Sequence, residues 1–232
     1  MSKVAIVQSN YIPWKGYFDL IARSDVFILF DEVQFTKRDW RNRNRIKSKN
    51  GLQWLSVPIL TKGKYYQKIN ETKINRNNWA KDHFLSLQSN YSRAPFFKEI
   101  MPWLSSCYFD HVYDSLSHLN YTFIAAICNY LGVTTEIMTS SEIESRSNYY
   151  KSDRLLEICK ALNASEYISG PRARSYLDVD LFCKNEINVS WMSYDNYPIY
   201  PQLWDGFDHY VSVLDLIFNC GKESTQFMKF VR

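Results

Sequence analysis

The sequence predicts an α/β fold in which helices cover both faces of a mostly parallel, twisted sheet. Two short apolar runs, at residues 3–9 and 25–30, enclose a segment at 16–24 whose apolar side chains recur at helical spacing. Neither run alternates polar and apolar residues, so both are typical of strands buried on two faces in a parallel sheet. Strand-length apolar runs and helix-length periodic segments follow each other along the rest of the chain.

The remaining elements are predicted from the same patterns. Further strands are expected at residues 54–60, 68–74, 135–138, 166–169 and 189–194. Helices are expected at residues 79–91, 95–106, 112–131, 152–162 and 208–219. Gly132 stands where a helix C′ glycine belongs, and Ser152 is expected to cap the helix that follows it. No segment resembles a linker, so we predict a single Rossmann-like domain over residues 1–232, with a helical insertion at 79–131.

The composition is ordinary for a globular protein, with 46% hydrophobic and 22% charged residues. No run approaches the ~18 apolar residues of a membrane span, and the N-terminus has no secretory signal pattern, so we expect a cytoplasmic protein with no membrane partner. The five cysteines and four histidines are scattered, without C-x-x-C or H-x-x-x-H pairs. We therefore expect no structural metal site.

Ligands of open α/β sheets bind beyond the carboxyl ends of the strands. Three segments of the chain follow predicted strands in this way: the loop at 8–16, the segment at 31–49 and the turn at 170–174. Because these strands belong to one sheet, we expect the three segments to converge.

The first loop lacks the glycine-rich patterns G-x-G-x-x-G and G-x-x-x-x-G-K-[ST]. It leads instead into a helix N-terminus, where free N–H groups and the helix dipole favour an anion and Lys15 adds positive charge. Tyr11 and Trp14 could stack on a base or sugar, and Gln8 and Asn10 could make polar contacts. In the alternative reading, the aromatic side chains only cover the sheet edge.

The stretch "DEVQFTKRDWRNRNRIK" concentrates positive charge after the second strand. In an extended chain, Arg41, Arg43 and Arg45 would share one side and Asn42 and Asn44 the other, whereas a helix would align Arg38, Arg41 and Arg45. Arginine binds phosphate in a bidentate manner, so either geometry favours the diphosphate of a nucleotide-linked sugar.

Two other interpretations of this stretch stay open. Arginine and asparagine with an interleaved tryptophan are also typical of nucleic-acid grooves, but a pI of 8.7 and a nearly neutral remainder make nucleic acid unlikely. The arginines could also form a solvated face with ion pairs to Asp31, Glu32 and Asp39.

Two residues are candidate proton acceptors. Asp31 ends an apolar strand, a position from which acids often face a ligand. His83 lies on an amphipathic helix, where a lone histidine is more often structural. Gln202, in the proline- and aromatic-rich stretch 197–204, is expected to line the pocket. Asp215 lies in an apolar helix and is expected to pair with an arginine or a backbone N–H.

Two degenerate motifs resemble elements of nucleotidylyltransferases. The first loop resembles their H-x-G-H element, with Trp14 and Tyr17 at the histidine positions. "ISGPRAR" resembles the I-S-x-T-x-x-R element that closes over the triphosphate, which implies ligand contacts from Ser169, Gly170 and Arg174. Without the histidines, standard nucleotidylyl transfer lacks its usual charge stabilisation.

The combination of "YIPWKGYFDLI", "DEVQFTKRDWRNRNRIK", "ISGPRARSYL", "YPQLWDGF" and "SVLDLIFNCG" resembles the WbqC-like family over essentially the whole chain. The family's motif positions correspond here to Asn10, Tyr11, Pro13, Trp14, Gly16, Asp31, Gln34, Arg38, Asn42, Arg43, Asn44, Arg45, Ser169, Gly170, Gln202 and Asp215. This chain has Gln-Ser-Asn-Tyr where the family more often has Gln-Pro before the aromatic residue.

The resemblance implies a role in bacterial surface-polysaccharide assembly, where some members are described as glycyl or aminoacyl transferases that decorate amino sugars. We therefore expect an enzyme that acylates the amine of a nucleotide-linked amino sugar. No cofactor is certain, but ATP and magnesium would be needed if the acyl donor is activated in place. The alternatives are a non-catalytic nucleotide-sugar-binding or scaffold protein and a degenerate nucleotidylyltransferase. The oligomeric state is not predicted.

Overall fold

A computed structural model describes residues 2–75, 77–144 and 151–231 of the chain. Its strands are β1 Ser2–Val7, β2 Val26–Leu29, β3 Arg43–Ser48, β4 Gly51–Ser56, β5 Glu136–Thr139, β6 Ala164–Ser169 and β7 Asn188–Trp191. Its α-helices are α1 Lys15–Arg23, α2 Trp79–Tyr91, α3 Phe97–Phe109, α4 Leu116–Leu131, α5 Ser152–Ala161, α6 Val179–Cys183 and α7 Val213–Cys220. Short 3₁₀ helices follow β5, β6 and α7 at Ser140–Glu142, Pro171–Ser175 and Gly221–Phe227.

Five parallel strands form one sheet in the order β5-β2-β1-β6-β7. The chain moves outward from β1 through α1 to β2, and in the opposite direction from β6 through α6 to β7. The strand order therefore reverses between β1 and β6, which is the topological switch point of a doubly wound fold. The predicted Rossmann-like α/β fold with a mostly parallel sheet is confirmed.

Successive residues of the central strands enter different cores. Ala5 and Phe27 belong to a large apolar cluster with α1, α2, α3, α4 and α7, whereas Val4 and Ile28 belong to a second cluster with α5 and α6. Since side chains alternate between the faces of a strand, both faces of the sheet are covered. This explains why the strands have continuous apolar runs.

Strands β3 and β4 form a separate antiparallel hairpin between β2 and α2. The hairpin is fastened to the rest of the fold by backbone hydrogen bonds, including one from the N–H of Ser212 to the carbonyl of Arg45 (2.8 Å). The extended alternative for the arginine-rich segment is thus the observed one over residues 43–48. Helices α2, α3 and α4 follow the hairpin and span the predicted insertion at 79–131.

Several elements begin or end at residues other than those predicted, because a serine caps the helix or a proline lacks the N–H that a strand needs. β4 ends at Ser56, two residues before Pro58, which has no N–H for a strand ladder. Helix α4 begins at Leu116 because Ser115 caps it, and α7 begins at Val213 because Ser212 caps it. Gly132 ends α4 in the left-handed conformation (φ 73°), as predicted.

Three further differences concern one strand, one helix cap and one additional helix. The predicted strand at 68–74 is wrong, because its residues make only isolated bridges to three different segments. The N-cap of α5 is Lys151, and Ser152 is its first helical residue. Helix α6 was not predicted.

Among the helices of the described residues, none combines the length and the apolar character needed to cross a bilayer.

Candidate ligand-binding site at the switch point

Two of the three predicted loops are joined by hydrogen bonds at the carboxyl end of β1. The N–H of Tyr11 donates to the carbonyl of Trp40 (3.2 Å). The guanidinium of Arg41 reaches the carbonyl of Gln8 (Nη1 to O, 3.5 Å) and the side-chain oxygen of Asn10. The predicted convergence of these loops is therefore observed in the structure.

The third loop approaches the same place. The charge of Arg172, in the 3₁₀ turn after β6, acts on the carboxylate of Asp39. A Cβ on Gly170 would lie 4.0 Å from the hydroxyl of Tyr194, and the ring of Tyr194 contacts that of Trp14 (5.1 Å between centroids). We call Gln8, Asn10, Asp39, Arg41, Arg172 and Tyr194 the switch-point cluster.

Arg41 is the most enclosed cation of this cluster, with 13% of its side chain exposed. Its Nη2 lies 3.5 Å from Oδ2 of Asp39. Burial lowers the pKa of the guanidinium, and the neighbouring Asp39 acts in the opposite direction. Burial alone would raise the pKa of Asp39, but Arg41 and the N–H of Trp40 bring it below its ordinary value. The two groups are thus held as an ion pair beside the first loop.

The first loop is fixed from below by buried polar groups. Asp31 accepts the N–H of Ser9 (2.8 Å) with one carboxylate oxygen and the hydroxyl of Ser117 with the other. Asn120, which is fully buried, donates to the hydroxyl of Ser9 (2.9 Å) and to the carbonyl of Arg41 (3.0 Å). The candidate acid Asp31 is therefore engaged on both oxygens and positions the loop.

Tyr11 and His83 lie inside the helical layer. The hydroxyl of Tyr11 is hydrogen-bonded to Nδ1 of His83 (2.9 Å) and to the hydroxyl of Tyr108 (2.6 Å). Tyr11 is fully buried, so neither face of its ring is free to stack on a ligand. Burial lowers the pKa of His83 to about 4, although a hydrogen bond from its ring to the backbone of Ser56 and the charge of Asp82 oppose the shift. His83 is therefore neutral at physiological pH and buried beneath the first loop, with Nδ1 engaged by Tyr11.

Lys15 and Trp14 face the segment after β7. The ammonium of Lys15 donates to the carbonyls of Pro198 and Phe227 (3.1 Å each), and burial lowers its pKa to about 8. Trp14 is half-buried. A Cβ on Gly16 would come within 2.4 Å of its ring, so the glycine is required for this packing. Lys15 is thus engaged away from the switch-point cluster, while Trp14 borders it through Tyr194.

The other predicted arginines form a surface of their own. Arg43 lies over the ring of Trp54 (4.2 Å), and Arg45 lies between Trp54 (5.7 Å) and Trp40 (5.5 Å). We call Trp40, Arg43, Arg45 and Trp54 the Arg–Trp strip. Arg45 also donates to the carbonyl of Tyr210 (2.8 Å). The Tyr210 ring contacts Trp14 (6.0 Å), so the strip leads to the edge of the cluster.

The remaining residues of the arginine-rich segment have structural contacts. Asn42 donates to the carbonyl of Val57 (2.8 Å), and buried Asn44 donates to the carbonyls of Tyr11 (3.2 Å) and Ile12 (2.9 Å). Arg38 is exposed, and its carbonyl accepts a hydrogen bond from Arg43. The two asparagines therefore shape the site from beneath and do not face a ligand.

The predicted residues of the later segments are dispersed. Ser169 is buried at the end of β6, Gly170 borders the cluster, and Arg174 lies over the ring of Trp191 (5.3 Å). Gln202 is engaged within its own loop by the hydroxyl of Tyr200 and the backbone of Asp208. Gln202 thus lies outside the switch-point cluster.

The expected partners of Asp215 were wrong. Two buried tyrosine hydroxyls donate to its carboxylate, those of Tyr91 and Tyr200 (2.8 Å each). Burial raises the pKa of Asp215, and these hydrogen bonds moderate the shift.

Sequence reasoning missed Arg172 and Tyr194 as site residues, and it named Asp39 only as an ion-pair partner of the arginines, which is the contact that Asp39 makes with Arg41. The available signal was positional: Arg172 and Tyr194 follow the ends of β6 and β7, at the same edge of the sheet as the first loop. Within the described ranges, no group of three or more His, Cys, Asp or Glu residues could hold a metal ion.

Comparisons with known proteins agree with the sequence motifs. The family model described as "WbqC-like protein family" matches residues 8–227. The chain is 50% identical over 232 residues, the full length of both chains, to "Uncharacterized protein Rv1507c" of Mycobacterium tuberculosis (strain ATCC 25618 / H37Rv). No solved structure matches the chain significantly.

Proposed function

From the premise that the chain belongs to the WbqC-like protein family, we propose that it is a transferase of bacterial surface-polysaccharide biosynthesis. Its substrate would be a nucleotide-linked amino sugar, and the reaction would add a glycyl or other acyl group to the sugar amine. The observation that carries the proposal is the guanidinium of Arg41, only 13% exposed, at the strand-order reversal, where doubly wound folds bind nucleotides.

The contacts of Arg41 support a phosphate-binding role. Nη1 of Arg41 donates hydrogen bonds to the carbonyl of Gln8 and the side-chain oxygen of Asn10. Nη2 lies 3.5 Å from the carboxylate of Asp39, which is longer than a close charged hydrogen bond and leaves this nitrogen able to donate to a phosphate. Arg172 adds a second positive charge from the opposite loop. A diphosphate between the two arginines would gain charge-assisted hydrogen bonds in a partly desolvated place.

Stacking surfaces adjoin this position. The ring of Trp14 contacts that of Tyr194 in the cluster, and the Arg–Trp strip, in which 43% of Trp54 is exposed, is connected to Trp14 through Tyr210. Aromatic and guanidinium faces of this kind accept bases and sugars. The base or the sugar ring of the ligand would therefore stack on these faces, beside the diphosphate.

In the proposed reaction, the amine nitrogen bonds to the acyl carbonyl carbon, and the bond from that carbon to its leaving group breaks. The leaving group is the phosphate of an acyl-adenylate or the sulfur of a thioester, and the proton from nitrogen passes to the leaving group or to solvent. Asp39, kept ionised beside Arg41, would hold the sugar ammonium next to the diphosphate site, and the ammonium would release one proton to solvent before the neutral amine attacks. Asp31 and His83 are not required for this arrangement.

A calorimetric titration with nucleotide-linked sugars, with and without a free amine, tests the binding half of the proposal. Arg41→Met is expected to weaken binding at least ten-fold, because a charged hydrogen bond to phosphate contributes ~1.5–3 kcal/mol. Arg41→Lys keeps the positive charge but loses the two-pronged guanidinium, so its affinity should lie between those of wild type and Arg41→Met. Arg93→Met is the control, because it removes an arginine that lies over the ring of Trp204, outside the site. Equal affinity of Arg41→Met and wild type would refute the assignment.

Turnover tests the chemical half. The protein is incubated with an amino-sugar nucleotide and either glycine plus ATP or an acyl thioester, and the sugar is followed by mass spectrometry. A mass gain of one acyl group, with pyrophosphate or thiol release, is the expected result.

Binding without turnover would favour the second candidate, a non-catalytic nucleotide-sugar-binding or scaffold protein. One observation supports that candidate. Both residues that the sequence offers as proton acceptors, Asp31 and His83, are buried and hydrogen-bonded to structural partners.

A further inference from the structure

A groove lies beside the segment that leads into the switch-point cluster. It has a volume of about 730 Å³, within the range of small-molecule sites, and its walls include Lys37, Lys64, Tyr65, Tyr66, Gln67 and Glu71. None of these residues belongs to the switch-point cluster or to the Arg–Trp strip.

The groove is built on an ordered turn. The N–H of Lys64 donates to the carbonyl of Thr61 (3.1 Å), and Gly63 adopts a left-handed conformation (φ 73°) that suits glycine. The side chain of Gln34 donates to the carbonyl of Tyr65 (2.9 Å), and the N–H of Phe35 donates to the carbonyl of Gln67 (2.9 Å). The turn is therefore fastened to residues 34–35, upstream of Lys37.

Two tyrosine rings stand open on this turn. Tyr65 is 72% exposed and Tyr66 is 82% exposed, and their rings meet edge to face with centroids 4.9 Å apart. Side chains this exposed contribute little to the core, so both rings remain available to a ligand. Their faces offer stacking positions to a planar ring.

The polar groups of the groove favour an anion. Lys37 and Lys64 supply positive charge, and the one acid of the lining, Glu71, already accepts the N–H of Lys68 (2.9 Å). Gln67 is only 8% exposed. Its nitrogen donates to the carbonyl of Leu60 (3.1 Å), while its oxygen has no hydrogen-bond partner among the described residues. A ligand N–H would satisfy this oxygen.

We propose that this groove binds an adenine nucleotide bearing several phosphates, as the carrier portion of the acyl donor. The base would stack on Tyr66 or Tyr65, and the phosphates would meet Lys37 and Lys64. Two donors share this chemistry, ATP as the source of an acyl-adenylate and coenzyme A as the carrier of a thioester. The assignment of the ligand as an acyl donor rests on the proposed function.

The position of the groove fits a donor site. Lys37 lies two residues before Asp39, so their Cα atoms are at most ~7 Å apart. The hydroxyl of Thr36 also donates to the carboxylate of Asp39 (2.9 Å). An acyl group carried along this segment would meet the amine of a sugar held at Asp39 and Arg41.

Calorimetric titrations of the full chain with ATP and, separately, with coenzyme A test the proposal. Tyr66→Ala is expected to weaken binding about five-fold or more, as loss of one base-stacking ring does. The double variant Lys37→Ala/Lys64→Ala should weaken it about ten-fold and reduce its dependence on salt. Exposed residues elsewhere provide the matched controls, Tyr176→Ala and Lys98→Ala, which should bind as wild type.

The outcomes separate the groove from the switch-point site. Binding of either nucleotide that the groove variants weaken supports the proposal, and the nucleotide that binds identifies the donor. Failure of both nucleotides to bind, or binding that the groove variants leave unchanged, overturns it. An acidic polysaccharide that binds wild type but not Tyr66→Ala, while both nucleotides fail, would assign the groove to a glycan instead. If nucleotide-linked sugars do not bind but ATP or coenzyme A occupies the groove, the proposed function fails while the adenine-nucleotide site stands.

Discussion

Replacing His83 separates a structural histidine from a catalytic one. In the folded chain, burial lowers the pKa of His83 from 6.5 to about 4. The unfolded chain takes up a proton near pH 6.5 and the folded chain does not. Stability is therefore greatest above pH 6.5 and falls as the pH drops from 6.5 towards 4.

The magnitude follows from the size of the shift. A change of about 2.5 pH units at ~1.36 kcal/mol per unit gives about 3 kcal/mol of lost stability between pH 6.5 and 4. The His83→Gln variant keeps a polar partner for Tyr11 but has no titrating group, so it should lack this component. His209 shifts in the same direction through its own burial, so the difference between variant and wild type is the quantity to compare.

Urea unfolding of wild type, His83→Gln and His118→Gln at several pH values between 8 and 4.5 provides the measurement. His118 is exposed on α4, so its variant controls for the loss of a histidine. The free energy of unfolding of His83→Gln should change less with pH than that of wild type. Parallel curves for those two proteins would refute the argument. Activity of His83→Gln reduced by orders of magnitude at unchanged stability would identify His83 as catalytic instead.

Two further variants test how the first loop is held. Gly16→Ala places a Cβ within 2.4 Å of the Trp14 ring, so it should lower the free energy of unfolding by ~1–3 kcal/mol. The higher helix propensity of alanine would by itself raise the free energy of unfolding by ~1 kcal/mol. Urea unfolding therefore shows whether the steric conflict or the helix propensity determines the effect. Asn44→Asp replaces a buried donor to the carbonyls of Tyr11 and Ile12 with an acceptor, and it should cost at least ~2 kcal/mol in the same assay. Wild-type stability of this isosteric variant would show that these hydrogen bonds do not hold the loop.

The sheet could be predicted because its information is local. β1 and β2 contain continuous apolar runs, and a βαβ unit has few alternatives once both faces are buried. The hairpin strand β3 was ambiguous because Arg43, Asn44 and Arg45 have neither an apolar period nor a strong strand preference. Its pairing with β4 and its contacts with the first loop decide its conformation. These contacts are distant in sequence, so no pattern within the segment reveals them.

The position of the site could be predicted, but the directions of its side chains could not. Strand order brings the loops after β1, β2 and β6 to one edge of the sheet, whichever residues they contain. Whether Tyr11 points outward depends on the backbone beside it. Ile12 adopts φ 38°, a conformation that β-branched residues rarely take. Tyr11 is buried against His83 as a result of the loop's path, whereas Arg41 is held at the loop's outer side.

The strain at Ile12 explains why so many buried polar groups surround this loop. A positive φ at a β-branched residue costs ~1–3 kcal/mol, and it persists only where neighbouring contacts enforce it. Asn44 holds the carbonyl of Ile12 from the hairpin, while Asp31 and Asn120 hold Ser9 from the sheet edge and from α4. The carbonyl and side-chain oxygens that orient Arg41 are therefore fixed before any ligand arrives, which reduces the ordering cost of binding. It follows that Asn44→Asp, although it touches no proposed ligand, should weaken nucleotide-sugar binding together with stability, whereas Arg41→Met should weaken binding by more than its effect on stability, because it also removes the group that meets the phosphate.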